Sequence, residues 1–178
     1  IADGVTVLEG SIDIAFVNHC GGVDNFLNLV QKIKSKFQGK INLRPELGMG
    51  KLFDFSKISE WYSDLLKSGL FNSIDLYGPE VEEGIDNFKK IYDLAGSLGI
   101  KKKAHVGEFS DAKSVKTFIE YFDLDEVQHG ITAASDDSVL QFIKDRNIRL
   151  NISPASNILL GSAKSYEEHP VKKIVEAG

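Results

Sequence analysis

The feature that most constrains the fold of this chain is a regular alternation of short β-branched runs with longer amphipathic segments. The runs are short, apolar and bounded by turn residues, as strands are, and apolar residues recur between them at helical spacing. The pattern is typical of βα units around a parallel sheet, and it predicts an α/β fold. The predicted strands are residues 5–14, 40–47, 73–77, 102–106, 126–129 and 148–152, and the predicted helices are residues 24–37, 56–68, 81–98, 111–122, 136–146 and 170–176.

Residues typical of helix ends mark several of these boundaries. Gly39, Gly69 and Gly99 lie just after three predicted helices, where a left-handed residue commonly ends a helix. Ser56 and Asp111 stand where helices should start, since their side chains can accept hydrogen bonds from the first turn. No linker or low-complexity stretch interrupts the chain, so we expect a single domain over residues 1–178.

The distribution of polar residues favours a closed barrel over an open sheet. They gather near the predicted carboxyl ends of all six strands, which in a (β/α)₈ barrel face one shared cavity. No GxGxxG or GxxxxGK[ST] motif, typical of doubly wound sheets, is present. A full barrel takes about 250 residues, so six units predict an incomplete TIM-type barrel. We expect residues 1–5 to be the end of a helix, the chain to be a piece of a longer protein, and exposed barrel edges to permit self-association.

Composition excludes several classes of protein. With 42% hydrophobic and 26% charged residues the chain can bury a core, and its net charge of -5 argues against a nucleic-acid partner. No stretch approaches the about 20 apolar residues of a membrane-spanning helix. A single cysteine, Cys20, permits no internal disulfide, which is typical of a reducing compartment and predicts a cytoplasmic location.

Three polar residues near neighbouring strand ends are candidates for chemistry. His105 lies at the end of the fourth predicted strand, one residue before its last, Glu108 follows past a glycine, and His129 ends the fifth strand. A neutral imidazole is a good zinc ligand, and a carboxyl group or a second histidine can transfer protons. The spacing alone leaves a structural alternative open, with His105 bonded to backbone, Glu108 compensating a helix dipole and His129 hydrogen-bonded towards a loop before a glycine turn.

The motifs around these residues resemble those of the adenosine deaminase family. HVGE at 105–108 is similar to its HAGE, QHG at 128–130 to its GHG, SPASN at 153–157 to its CPxSN, and DLYGPE at 75–80 to its DLxGxE. The resemblance implies that His105 binds one zinc ion and that Glu108 protonates a purine ring nitrogen. It implies that His129 orients the zinc-bound hydroxide and acts as a base, and that the Gly78 N–H binds another ring nitrogen. The substrate would be adenosine or a related aminopurine.

The chain departs from the family pattern in ways that bear on function. It contains no HxH motif, and its one Asp-Asp pair, Asp136-Asp137, lies at a predicted helix start. The family's VExR is replaced by Glu9-Gly10-Ser11, which puts substrate contacts there in doubt. Because zinc sites normally have three or four protein ligands, we expect this chain alone to hold the metal weakly and to lack turnover. The alternatives are a deaminase of adenine or an adenosine phosphate, and a non-catalytic binding module.

Other polar residues have plainer interpretations. Ser153 and Asn157 are expected to shape a loop, and His169 to cap the following helix. His19, beside the single cysteine, has too few neighbouring ligands for a metal site. Arg44 could contact substrate or form an ion pair.

Overall fold

The computed structural model describes residues 4–178, so the helix end predicted for residues 1–5 falls mainly outside the described residues. The chain divides into two compact units: the first comprises residues 4–77 and 87–101, and the second comprises residues 78–86 and 102–178. The single domain expected over residues 1–178 stays a prediction.

The first unit contains three parallel strands in chain order with helices between them. This is the βα succession that the hydrophobic pattern predicts. Its elements are β1 (Val7–Asp13), α1 (Phe16–Cys20), α2 (Val23–Phe37), β2 (Asn42–Gly50), α3 (Phe55–Lys67), β3 (Ser73–Tyr77) and α4 (Lys89–Ser97).

Strand β2 ends at Gly50 rather than at residue 47, so Arg44 and Glu46 lie farther from its carboxyl end than predicted. The strand continues to Gly50 because residues 46–50 pair in register with all of β3. Arg44 therefore lies near the start of the strand, where its guanidinium is 3.0 Å from Glu9 Oε1, as in the ion-pair interpretation. Glu46 is buried within the strand and accepts a hydrogen bond from Ser73 Oγ at 2.9 Å.

Two helix starts in the first unit differ from the prediction. Helix α3 is capped by Asp54, whose carboxylate accepts a hydrogen bond from Ser56 N at 3.0 Å, so Ser56 lies inside the helix. The helix predicted from residue 81 begins later, as a 3₁₀ turn (Ile85–Phe88) that leads into α4. Gly84 has a φ of 78°, which is incompatible with a right-handed helix and explains the late start.

The second unit has the same organisation around a shorter set of strands. Strand β4 pairs in parallel with β5, and β5 with β6, again in chain order. Helix α5 begins at the Asp111 cap, as predicted, whereas α7 was not predicted. The elements are β4 (Lys101–Val106, of which Lys101 belongs to the first unit), α5 (Ala112–Phe122), β5 (Glu126–His129), a 3₁₀ turn (Ile131–Ser135), α6 (Asp137–Asp145), β6 (Arg149–Asn151), α7 (Pro154–Leu159) and α8 (Val171–Ala177).

The core of the second unit is formed by buried residues of α5, of strands β4 and β5 and of the 3₁₀ turn (Ile131–Ser135). The apolar face of α5 is fully buried, and burial of each such side chain contributes roughly 1.5–3 kcal/mol. This packing fixes the strands whose ends carry the candidate site. The most buried apolar residues here are Ala104, Val106, Val115, Phe118, Ile119, Phe122, Val127, Ile131 and Ala133.

The glycines expected to end helices adopt the predicted conformation. Gly39, Gly69 and Gly99 have φ values of 76°, 69° and 70°, all in the left-handed region. Within residues 4–178, no helix combines the length and the apolar content needed to cross a membrane.

Candidate active site

The two histidines of the candidate site are positioned by the register between β4 and β5. Val106 pairs with His129 and His105 with Gln128, so the histidines are diagonal neighbours at the carboxyl ends of adjacent strands. Their ring centroids are 5.4 Å apart, with the planes inclined at 54°. The structure therefore brings together the two imidazoles that the sequence places on separate strands.

The backbone at the end of β5 is unusual at His129 itself. His129 has a φ of 69°, in the left-handed region that non-glycine residues seldom occupy. The following Gly130 has a φ of 66°, and its N–H donates to Val106 O at 3.0 Å, which ties this turn to the end of β4. Such conformations commonly occur where a side chain must be aimed at a functional site.

The loop that carries Glu108 is anchored by the carboxylate of Glu80. Glu80 accepts hydrogen bonds from the backbone N–H groups of residues 107, 108, 109 and 110 and from Ser110 Oγ, at 2.7–3.2 Å. Partial burial raises the pKa of Glu80, but the hydrogen bonds from Ser110 and the loop N–H groups outweigh it, and the net pKa is lowered. Glu80 is therefore held as an anion that fixes the loop.

Gly107 permits the tight turn between His105 and Glu108. Its φ is 78°, and a Cβ there would lie 2.4 Å from Val115 Cγ2 and 3.0 Å from Gly130 Cα. Both the backbone conformation and the close packing therefore require glycine. The turn directs Glu108, which is 7% exposed, back into the unit.

The carboxylate of Glu108 contacts His129 and a residue from α7. Glu108 Oε2 lies 3.4 Å from His129 Nε2, and Glu108 Oε1 accepts a hydrogen bond from Asn157 Nδ2 at 2.7 Å. The same Asn157 nitrogen is 3.0 Å from His129 Nδ1. A buried carboxyl group, an imidazole and an amide thus form one cluster that can hold and transfer protons.

Asn157 is itself tied to His169. Asn157 is fully buried, and its Oδ1 lies 3.2 Å from His169 Nε2. His169 Nδ1 accepts a hydrogen bond from Val171 N at 3.1 Å, which is the capping role expected of this histidine before α8. The contact with Asn157 comes in addition to that role.

Gly78 directly follows β3 and has a φ of 111°, a conformation that side chains rarely permit. It lies two residues before Glu80, so the chain connects it to the anchor of the Glu108 loop.

The remaining polar pairs have structural roles. Asp136 caps α6 through Ser138 N at 2.8 Å, and Asp137 lies 2.7 Å from Lys173 Nζ.

Comparison with known proteins assigns this site to a family. The family model described as adenosine deaminase matches residues 53–178, a range that includes every residue of the cluster. The chain belongs to the adenosine deaminase family. This confirms the resemblance that the four motifs carry.

Two curated relatives show the kind of activity found in this family. A Treponema pallidum protein that bears the provisional name adenosine/adenine deaminase is 46% identical over 100% of this chain and 60% of its own length. The adenine deaminase of Schizosaccharomyces pombe is 29% identical over 67% of this chain and 34% of its own length. The chain thus spans about 60% or less of the length of these relatives.

Solved structures confirm the fold class. Adenine deaminase from Arthrobacter aurescens matches 99% of this chain and 55% of its own, with a TM-score of 0.82 at 21% identity. A zinc-bound amidohydrolase from Burkholderia ambifaria matches 99% of this chain and 51% of its own (TM-score 0.79, 18% identity). An Arabidopsis protein in complex with IMP matches 98% of this chain and 54% of its own (TM-score 0.78, 18% identity). The fold is α/β, with six parallel strands of an incomplete TIM-type barrel.

The residues that the structure describes do not by themselves fit a zinc ion. Among residues 4–178, no three His, Cys, Asp or Glu side chains are grouped so that they could hold a metal, whereas zinc sites normally have at least three protein ligands. His105 is the candidate ligand that the motif identifies. His19 Nδ1 faces Ala15 O at 3.4 Å, within its own helix.

Three residues serve the site in ways that the sequence does not predict. The sequence places Glu80 in a motif, and it predicts structural roles for Asn157 and His169. The structure places Asn157 against both Glu108 and His129. Two signals could have identified Asn157. It belongs to the SPASN motif, and its side-chain amide can donate to two acceptors at once.

Proposed function

We propose that the protein containing this chain hydrolyses the exocyclic amine of adenosine or a related aminopurine and releases ammonia. Family membership and the names of the relatives support deamination of an aminopurine. The observation that carries the proposal is the Glu108–His129–Asn157 cluster, because it provides a buried carboxyl group beside an imidazole.

Each site residue has chemistry suited to this reaction. Glu108, in its protonated form, would donate a proton to the purine ring nitrogen next to the amino-bearing carbon, which makes that carbon more electrophilic. His129 would orient the attacking water and act in its deprotonation. Gly78 would donate its backbone N–H to another ring nitrogen, since no side chain blocks close approach.

We further propose that the complete site uses one zinc ion with His105 as one of its ligands. The zinc-bound Burkholderia ambifaria structure supports this for a protein of the same fold. The described residues supply no three-ligand site, so the other ligands would have to come from outside the described residues. We therefore expect the 178-residue chain with added zinc to release no ammonia from adenosine. Metal-dependent release of ammonia by that chain would contradict the proposal that its catalytic site is incomplete.

Ammonia release from adenosine by the full-length protein tests the proposed function. Replacing Glu108 with Gln removes the proton donor, and we expect kcat to fall by about 10²–10⁴-fold, the usual contribution of a general acid or base. Glu83→Gln is the matched control, because Glu83 is exposed on the 78–86 segment. No deamination of any aminopurine by wild type, or a Glu108→Gln variant as active as Glu83→Gln, would overturn the proposal.

The identity of the aminopurine is a separate question. The relatives include proteins named for adenosine and for adenine, and a neighbour in fold was solved with a nucleotide. Adenine and adenosine phosphates are therefore the alternative substrates. Comparing kcat/KM for adenosine, adenine and AMP on the full-length protein distinguishes them.

A non-catalytic binding module is the second candidate, and the lack of a three-ligand metal cluster among residues 4–178 favours it for this chain in isolation. Full-length protein that binds a purine nucleoside without releasing ammonia would support it.

We also propose a cytoplasmic location, from the single cysteine, and self-association through sheet edges that a partner or further chain does not cover.

A further inference from the structure

The hydrogen bonds behind the candidate site have an unambiguous direction, because they begin at a group that can only donate. The backbone N–H of Val171 donates to His169 Nδ1 at 3.1 Å. An imidazole nitrogen that accepts a hydrogen bond carries no proton. Neutral His169 therefore has its proton on Nε2.

That proton fixes the orientation of the Asn157 amide. His169 Nε2 lies 3.2 Å from Asn157 Oδ1, which can only accept, so the Nε2–H donates to it. The amide nitrogen of Asn157 then faces the opposite way, with two protons to donate. One goes to Glu108 Oε1 at 2.7 Å and the other to His129 Nδ1 at 3.0 Å.

We propose that Asn157 and His169 are positioning residues that set the protonation pattern of the two candidate catalytic side chains. Because His129 Nδ1 accepts from Asn157, the neutral ring of His129 carries its proton on Nε2, 3.4 Å from Glu108 Oε2. Glu108 Oε2 and His129 Nε2 are the atoms of these two side chains that Asn157 does not bind. The catalytic consequence rests on the proposed deamination, whereas the proton pattern does not.

This pattern refines the role implied for His129. A ring with its proton on Nε2 starts the reaction as a hydrogen-bond donor at that atom. It can orient a water or hydroxide directly, but it has no lone pair at Nε2 to accept a proton. Asn157 therefore favours the orienting role of His129 over the role of a base.

The backbone of Asn157 is held as firmly as its side chain. Asn157 O accepts hydrogen bonds from Ser162 N at 2.9 Å, Ala163 N at 3.1 Å and Ser162 Oγ at 3.1 Å. Asn157 N donates to Ser153 O at 3.0 Å, the helical hydrogen bond that begins α7 at its cap residue. An amide fixed in this way selects one orientation of its neighbours, as positioning requires.

The tautomers of the histidines test this proposal without any assay of activity. Two-bond nitrogen–proton NMR spectra distinguish Nε2–H from Nδ1–H rings, and the chain has only four histidines to assign. In their neutral forms we expect both His129 and His169 of the wild-type protein to be Nε2–H. An Nδ1–H ring at either position overturns the proposal, even if every variant fails to fold.

Paired variants separate positioning from mere packing. The side-chain amide of His169→Gln can still donate to Asn157 Oδ1, whereas His169→Leu cannot, so His129 should remain Nε2–H only with Gln. Asn157→Asp presents acceptors alone and should move the His129 proton to Nδ1. His19→Gln, at an exposed position, is the control and should change neither ring. A His129 tautomer that is the same in Asn157→Asp, in His169→Leu and in wild type would contradict the proposal.

The kinetic counterpart uses the full-length protein. We expect His169→Leu to lower kcat by about tenfold or more with little change in KM, and His169→Gln to restore most of it. If the proposed deamination is wrong, wild type releases no ammonia but the tautomer pattern stands. If the positioning is wrong, wild type is active and the tautomers are not those expected.

Discussion

Replacing Glu80 with Gln should destabilise the loop that carries Glu108. The Glu80 carboxylate accepts hydrogen bonds from four consecutive backbone N–H groups and from Ser110 Oγ. Hydrogen bonds to a charged group contribute about 1.5–3 kcal/mol each, but these converge largely on one oxygen and the group is half-buried. The glutamine oxygen can still accept some of them, while its NH₂ group opposes the others. We therefore expect the free energy of unfolding to fall by about 2–4 kcal/mol.

The role of Glu80 also predicts how the stability of the protein changes with pH. Because folding lowers the pKa of Glu80, its ionised form stabilises the folded state above the unfolded pKa of about 4.3. That contribution is lost as the pH falls through the lower, folded-state pKa. Urea unfolding of wild type should therefore show a loss of stability in this acid range that is smaller in Glu80→Gln.

The assay compares Glu80→Gln with Glu83→Gln, which removes the same charge from an exposed position on the same segment. Unfolding free energies would be measured at pH 7 and across the acid range, together with hydrogen exchange of the amides of residues 107–110. Those amides should exchange faster in Glu80→Gln alone. If the two variants are equally stable and equally protected, Glu80 does not anchor the loop.

Two further predictions concern the turn beside Glu108. Gly107→Ala should lower the free energy of unfolding by about 2–4 kcal/mol, since it combines a φ of 78° with a Cβ 2.4 Å from Val115 Cγ2. Gly99→Ala, with a φ of 70° but open space, should lose only about 1–2 kcal/mol, and equal losses would contradict the steric reasoning. Thr132→Val should raise the free energy of unfolding by about 1 kcal/mol, because Thr132 Oγ1 is buried with no hydrogen-bond partner among the described residues. Urea unfolding tests this, and a loss of stability would show that the hydroxyl does have a partner.

The sequence predicts the repeating architecture well because that architecture depends on local patterns. Strands β3 and β5 have the predicted bounds, and the three glycines after α2, α3 and α4 adopt the left-handed conformation. Hydrophobic period and helix-ending residues act within a few positions of each other, so they can be read from one segment. The βα order follows directly from their succession.

The elements that were missed depend on contacts beyond their own segment. Strand β2 extends to Gly50 because β3 lies beside it, and nothing local to residues 48–50 indicates a strand. Helix α7 is only six residues long, which is too short for hydrophobic periodicity to appear. The start of α4 is delayed by the backbone conformation of Gly84, which the apolar pattern does not encode.

The same distinction explains which site residues could be predicted. His105, Glu108 and His129 are recognisable because each lies at the end of a predicted strand or just after it, and adjacent parallel strands bring such residues together. The link from Asn157 to Glu108 joins residues 49 positions apart, and the link from Glu80 to the Glu108 N–H joins residues 28 positions apart. Such contacts follow from the packing of whole elements, which a single sequence without a structure does not specify.

Glu80 and Asn157 fix different parts of the same candidate acid. Glu80 binds the backbone N–H of Glu108 and its neighbours, whereas Asn157 binds the carboxylate at the end of the side chain. The two variants should therefore fail differently, since loss of the Glu80 anchor loosens a whole loop while loss of the Asn157 amide reorients one carboxyl group and one imidazole. Because both anchors lie within the second unit, the acid can be preorganised by this chain before any metal or substrate binds.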